Sequence, residues 1–408
     1  MGIHFARKKL LVAIASGAII GLTGCGGGGG GGSSSSDDGD NTAPPETTEP
    51  EETIAAYFEA INFDPETAEY TGAGVNLAVY DGGILIGHSE FPASRVSQYS
   101  GAFATEFSTI APETEDSWKL IDVGEFVNDN HDTDEYADED ERSHGSLVTA
   151  IAAGETVGIA PGTTIFAYDL IYSTTTDGSG AITDIDPAGG GPDSFTAYLH
   201  IAEKGKTATS GSPNLDLDFA NLSLTAAIRY ETGIRDTSDH MTKMAVETET
   251  AIIASAGNSG LDLSEHWENP GLFEPMVNDS TLSETIIIVG ATDQAGEAMR
   301  SDSNTPGSNS LWQDRFIVAP GTAIEGADYT DADKTTTASG TSMAAPLVTG
   351  ASALVKEKYP QLTNRQVLQV LLDTASKTIP NYDVEIHGQG LLDVEAALNV
   401  DPSLYTNP

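Results

Sequence analysis

Basic residues are scarce in this chain: 18 Lys plus Arg stand against 62 Asp plus Glu, a formal net charge of −44. Phosphate backbones are bound by releasing counterions to Lys and Arg, so nucleic acid is excluded as a partner. A surface this acidic repels its own copies, which favours a soluble monomer and suits a salt-rich medium. Cysteine is nearly absent as well. Cys25 is the sole example, so no disulfide can form within the chain and the fold must stand on packing. Long apolar runs are missing too. Leu10 to Leu22 is the longest, short of the roughly 18 residues that a spanning helix needs.

That short run has a specific setting. Arg7, Lys8 and Lys9 precede it, and Leu22-Thr23-Gly24-Cys25 closes it, the order of a positive region, an apolar region and small residues found in export signals. The closing tetrapeptide resembles the bacterial lipobox. The resemblance implies that residues 1–24 are removed and that Cys25 is acylated, tethering the protein to a membrane surface without a spanning segment. Gly26 after Cys25 points to the outer membrane or cell surface, with later release of the enzyme left open. Residues 25–53 follow as Gly, Ser, Pro and acid, too polar to bury a core and expected as a flexible tether.

From residue 54 to about 400 the pattern is that of an α/β domain, with 401–408 as a tail. Strands are expected at Val75 to Tyr80, Thr164 to Leu170, Ala220 to Leu224, Ala251 to Ala256, Thr285 to Val289 and Phe316 to Val318. Helices are expected at Ser143 to Ala153, Asp239 to Glu249, Ser342 to Lys358 and Asn364 to Ala375, with Thr363 capping the last and Pro360 closing the one before. The implied fold class is a mostly parallel central sheet flanked by helices.

Four short segments carry the chemistry. Asp81 ends the first strand, where the carboxyl edge of an open sheet lines the ligand crevice. His144 opens Ser143-His144-Gly145-Ser146, and the glycine lets another backbone come close. Asn258 closes Ala254-Ser255-Ala256-Gly257-Asn258-Ser259-Gly260, where its amide could donate a hydrogen bond. Ser342 lies in Gly340-Thr341-Ser342-Met343-Ala344-Ala345-Pro346, at the positive end of a helix dipole, with Pro346 expected in a first turn that needs no internal donors. Singly, the first three also suit a turn, a structural histidine and an Asn-Ser-Gly turn.

Together, and in this chain order, they resemble the subtilisin-like serine peptidases. Gly158-Ile159-Ala160-Pro161, Asn221-Leu222-Ser223-Leu224, Ala319-Pro320-Gly321 and Gly388-Gln389-Gly390-Leu391 carry the resemblance from about Gly72 to Leu398. It implies a serine endopeptidase acting on protein or peptide substrates through an acyl-enzyme, with Asp81, His144 and Ser342 as triad. It further implies Asn258 and the Ser342 amide as oxyanion hole, Ser223, Leu224 and Thr225 as the edge that pairs with substrate, and Ser255, Ala256 and Gly257 as a wall of the specificity pocket. No cofactor is required for the chemistry. Structural Ca²⁺ is common among such relatives, and Asn128 to Glu135 with Asp138 to Glu141 is an oxygen-rich stretch, though a solvated acidic loop explains it better. The remaining histidines show no zinc-ligand spacing, so no metal is assigned.

Two residues depart from the family pattern. Gly82 replaces the usual Ser or Thr and should loosen the loop that orients Asp81, while Thr225 replaces Gly and should crowd the substrate edge. The short stretch between Cys25 and Asp81 leaves no room for a folding propeptide. In this the chain resembles lipidated subtilase passenger domains of autotransporters, with no barrel expected after the domain. A catalytically dead scaffold used for adhesion and an esterase are the competing classes. The complete set of four residues argues against the first, and the absence of a Gly-x-Ser-x-Gly elbow around Ser342 argues against the second.

Overall fold

The computed structural model describes residues 55–103, 118–122, 139–169, 173–176, 182–186, 216–223, 249–264, 276–280 and 282–406. The signal, the tether with Cys25, the acidic stretch 128–135, the expected helix Asp239 to Glu249 apart from Glu249 (φ 57°, not helical), and residues Leu224 and Thr225 lie outside them.

The apolar runs at 77–81, 219–222, 251–255, 286–292 and 316–320 are buried along their length, which suits parallel pairing between helical layers. The described strands include these and several more polar ones. In chain order they are β1 (Asn76–Asp81), β2 (Val96–Phe103), β3 (Trp118–Asp122), β4 (Thr164–Asp169), β5 (Ser173–Thr176), β6 (Ile182–Asp186), β7 (Phe219–Leu222), β8 (Ala251–Ser255), β9 (Ile286–Thr292), β10 (Phe316–Pro320), β11 (Ile324–Ala327) and β12 (Thr335–Ala338). One sheet holds eight of them in the order β10-β9-β8-β7-β1-β4-β2-β3, all parallel except the edge pair β2–β3. The chain runs from β1 outward on one side and returns to build β7 to β10 on the other. The order therefore reverses beside β1, and a crevice opens at the carboxyl ends there.

Side chains alternate across the sheet. Leu77, Val79, Ile253 and Val289 face one layer, formed by the helices Glu139–Ala153, Thr341–Lys358 and Asn364–Thr374. Ala78, Tyr80, Ala254 and Ile288 face the other, which holds Met276, Val277 and Trp312. The helix Thr341–Lys358 is buried at every residue from Thr341 to Val355, and its small residues allow that. Gly350 approaches so closely that a Cβ there would meet Ile159 at 2.6 Å. Thr363 caps the next helix through a capping box with Gln366, as the sequence predicts.

Three expectations need correction. The helix predicted from Ser143 begins at Glu139, because Glu139, Asp140 and Glu141 suit a positive helix end better than a loop. Residues 401–406, expected as a tail, include the turn Ser403–Thr406, and Tyr405 accepts a hydrogen bond from Gln366 Nε2 through its carbonyl at 2.6 Å. The hairpins β5–β6 and β11–β12 have no counterpart in the predicted elements, since Thr-rich segments such as Thr335–Ala338 carry no apolar run to signal a strand.

Candidate active site

Asp81 is the last residue of β1 and is 1% exposed. Its Oδ1 accepts from the Gly82 amide at 2.8 Å and lies 2.8 Å from Nδ1 of His144, with Oδ2 at 3.1 Å. A carboxylate only accepts, so Nδ1 carries the proton and Nε2 is the basic atom of the neutral ring. The expected looseness after Asp81 is offset by backbone contacts. Ser146 Oγ accepts from the Leu85 amide at 2.9 Å, and the absent Cβ of Gly145 would sit 2.0 Å from the Gly83 carbonyl oxygen. The loop is thus pressed directly onto the helix that carries His144. That histidine lies within the helix rather than at its opening, because the helix starts earlier than predicted.

Ser342 is the second residue of its helix and is 8% exposed. Its hydroxyl donates to the Ser223 carbonyl at 2.9 Å, and Ser223 Oγ donates back to the Ser342 carbonyl at 2.9 Å. Pro346 explains the second bond. It lies inside the helix, beyond the first turn where it was expected, and the N–H it lacks is the one that would have served the Ser342 carbonyl. Ser223, just past β7, supplies the replacement. Behind it, Asn221 Nδ2 donates to Ser223 Oγ at 2.9 Å and Thr349 Oγ1 donates to Asn221 Oδ1 at 2.9 Å. All of these residues are buried, so strand and helix are knitted together by a satisfied polar chain.

Asn258 follows β8 and is exposed. Its Oδ1 accepts from the Thr341 amide at 2.8 Å and from Thr341 Oγ1 at 3.0 Å. That fixes the amide flip and leaves Nδ2 as the presented donor. Thr341 Oγ1 in turn accepts from the Gly257 amide at 3.1 Å. Thr341 stands inside the quoted motif, yet its role was invisible there, because it acts on a residue 83 positions away. Gly340, at φ 151°, packs beside Asn258, where a Cβ would meet Nδ2 at 3.3 Å. Ser342 is in the first turn, so its amide has no helical acceptor.

The structure thus brings Asp81 to His144, Ser342 to Ser223, and Asn258 to Thr341, all at the carboxyl edge of the sheet. Ser255, Ala256 and Gly257 lead into the same loop. Ser255 Oγ is buried and makes no hydrogen bond among the described residues. No group of three or more His, Cys, Asp or Glu side chains is arranged for a metal among the described residues.

Residues 72–390 match the model of the subtilase family. Subtilisin DY from Bacillus licheniformis is 25% identical over 334 residues, covering 80% of this chain and 92% of the relative. An extracellular serine proteinase from a Thermus species is 28% identical over 310 residues, covering 76% of this chain and 57% of the relative. Among solved structures, the prenylagaramide maturation protease PagA superposes with a TM-score of 0.51 at 19% identity, covering 79% of this chain and 92% of that one, a likeness of fold.

Proposed function

The chain belongs to the subtilase family and is a subtilisin-like serine protease, a hydrolase of peptide bonds, and on that premise we propose that Asp81, His144 and Ser342 are its catalytic triad. The observation that carries this reading is the bidentate approach of Asp81 to Nδ1 of His144, at 2.8 and 3.1 Å. It selects the tautomer in which Nε2 can act as base.

In the resting arrangement the single Ser342 proton points to the Ser223 carbonyl. The O–H therefore turns away from that carbonyl towards Nε2, gives up its proton there, and Oγ attacks the scissile carbonyl. Asn258 Nδ2 and the Ser342 amide take the oxyanion of the tetrahedral intermediate. Asp81 stabilises the imidazolium, which returns the proton to the leaving amine. Water, activated by the same histidine, then hydrolyses the acyl-enzyme. Ser223, Leu224 and Thr225 pair with the substrate backbone, and Ser255, Ala256 and Gly257 line a pocket for an apolar side chain.

Casein hydrolysis by single variants tests the triad. Ser342→Ala or His144→Ala should lower kcat roughly a million-fold and Asp81→Asn roughly 10,000-fold, magnitudes already known from serine proteases including subtilisin. Combining Ser342→Ala with His144→Ala should cost no more than either alone. Independent, multiplying losses would contradict a cooperating triad.

Residues 1–24 are read as a lipoprotein signal, 25–53 as a lipidated tether, 54–400 as the peptidase domain and 401–408 as its C-terminal end. The protein would then work as a monomer at the outer membrane or cell surface. Cys25→Ser should move it from the detergent phase to the aqueous phase in a cloud-point partition. Unchanged partitioning would remove the lipid anchor from this account.

A further inference from the structure

β8 ends at Ser255, and the last bond to the sheet is the Ala256 amide donating to the Val289 carbonyl at 2.9 Å, so the segment that carries Asn258 leaves the ladder just before it. A buried side chain takes up much of the task of holding it. Asn304 is 0% exposed, and both of its amide heavy atoms bond to this segment. Nδ2 donates to the Ala256 carbonyl at 2.8 Å, while Oδ1 accepts from the amides of Ser259 at 3.1 Å and Leu261 at 2.9 Å. The Asn304 amide donates to the Gly257 carbonyl at 2.9 Å. These bonds bracket Asn258 from both directions. Neighbours extend the grip: Gly260 donates to the Asp302 carbonyl at 2.7 Å and Thr305 to the Leu261 carbonyl at 2.9 Å.

Asn258 is therefore clamped at two levels. Thr341 sets which way its amide is flipped, and the segment around Asn304 sets where its backbone stands. An oxyanion donor contributes only when it is pre-aimed, because reorganisation at the moment of reaction removes the advantage. A displacement of about 1 Å can cost on the order of 100-fold in rate.

We propose that Asn304 is a positioning residue for peptide-bond hydrolysis, holding the loop Ala256–Leu261 so that Asn258 Nδ2 stays aimed at the developing oxyanion. The inference rests on the reading of Asn258 as oxyanion donor. Asn304 touches neither substrate nor the triad in this arrangement; it acts through Asn258.

A double-mutant cycle in the full chain tests it, with kcat and KM read on a chromogenic peptide anilide and folding followed by thermal midpoint. Asn258→Ala should lower kcat roughly 100- to 1000-fold, as known for the corresponding loss in subtilisin. Asn304→Ala should lower kcat about 10- to 100-fold while KM stays within about twofold. In the Asn258→Ala background, Asn304→Ala should cost less than about twofold in kcat, because the residue it positions is gone. If Asn304→Ala does not fold, Asn304→Ser enters the same cycle, with a smaller loss expected and the same lack of additivity. Equal losses in both backgrounds, a change in KM alone, or no loss of kcat would overturn the positioning role while leaving Asn258 as donor. An unchanged kcat in Asn258→Ala would overturn the oxyanion reading, and this inference with it.

Discussion

Ser342 and Asn258 show what a sequence reveals about a site and what it withholds. The residues proposed for the chemistry sit in short contiguous strings, so Asp81, His144, Asn258 and Ser342 can be singled out from their neighbours in the sequence. The residues that hydrogen-bond to these segments are scattered. Asn304 reaches its partners across 43 to 48 positions, and no local pattern marks such a pairing. A buried, fully bonded polar side chain beside a functional loop is visible only once the chain is folded. Asp218 behaves similarly. Burial holds its carboxyl above the usual carboxylate range, although Oδ2 accepts from the Asn76 amide at 3.0 Å. The folded protein thus holds this proton more tightly than the unfolded chain does. The stability it contributes is present in acid, below the unfolded value, and is lost as pH rises through the folded value. Asp218→Asn keeps an acceptor and removes the charge, so it should raise the thermal midpoint at pH 7 and lose that advantage below about pH 4. Equal gains at both pH values, or a loss at pH 7, would contradict this account in a pH series of melting curves.

Elements were easier to find than their ends. The buried strands β1 (all but Asn76), β7, β8, β9 and β10 announce themselves as apolar runs, whereas the helix carrying His144 starts earlier because its acidic first turn reads as loop. The helix of Ser342 holds a subtler device. Pro346 deprives the Ser342 carbonyl of its helical donor, and Ser223 Oγ fills the gap. The two substitutions should therefore couple. Ser223→Ala leaves that carbonyl unpaired and should cost about 1–3 kcal/mol. Pro346→Ala restores an N–H at the right place, so Ser223→Ala should cost distinctly less in that background. Denaturant melts of the four proteins in this cycle measure the coupling. Costs that simply add would mean that the proline and the serine serve separate ends.

At the scale of the whole molecule, the sheet order places Asp81, Ser223 and the Asn258 loop on one edge, at the point where the strand order reverses. The Ser342 and His144 helices pack on one face of that sheet and deliver their residues to the same edge. The α/β class and the parallel centre were legible because parallel strands demand continuous apolar runs. The antiparallel edge β2–β3 and both hairpins were not, because partly polar strands leave no such trace. We propose this edge as a working hydrolase centre with Ser342 as its nucleophile. Its most direct test is reaction of the full chain with a fluorophosphonate probe, followed by mass mapping of the adduct beside Ser342→Ala and His144→Ala. One phosphonylated residue is expected, Ser342, with labelling abolished in the first variant and nearly abolished in the second. A folded wild-type protein that takes no label, or an adduct on another residue, would contradict it.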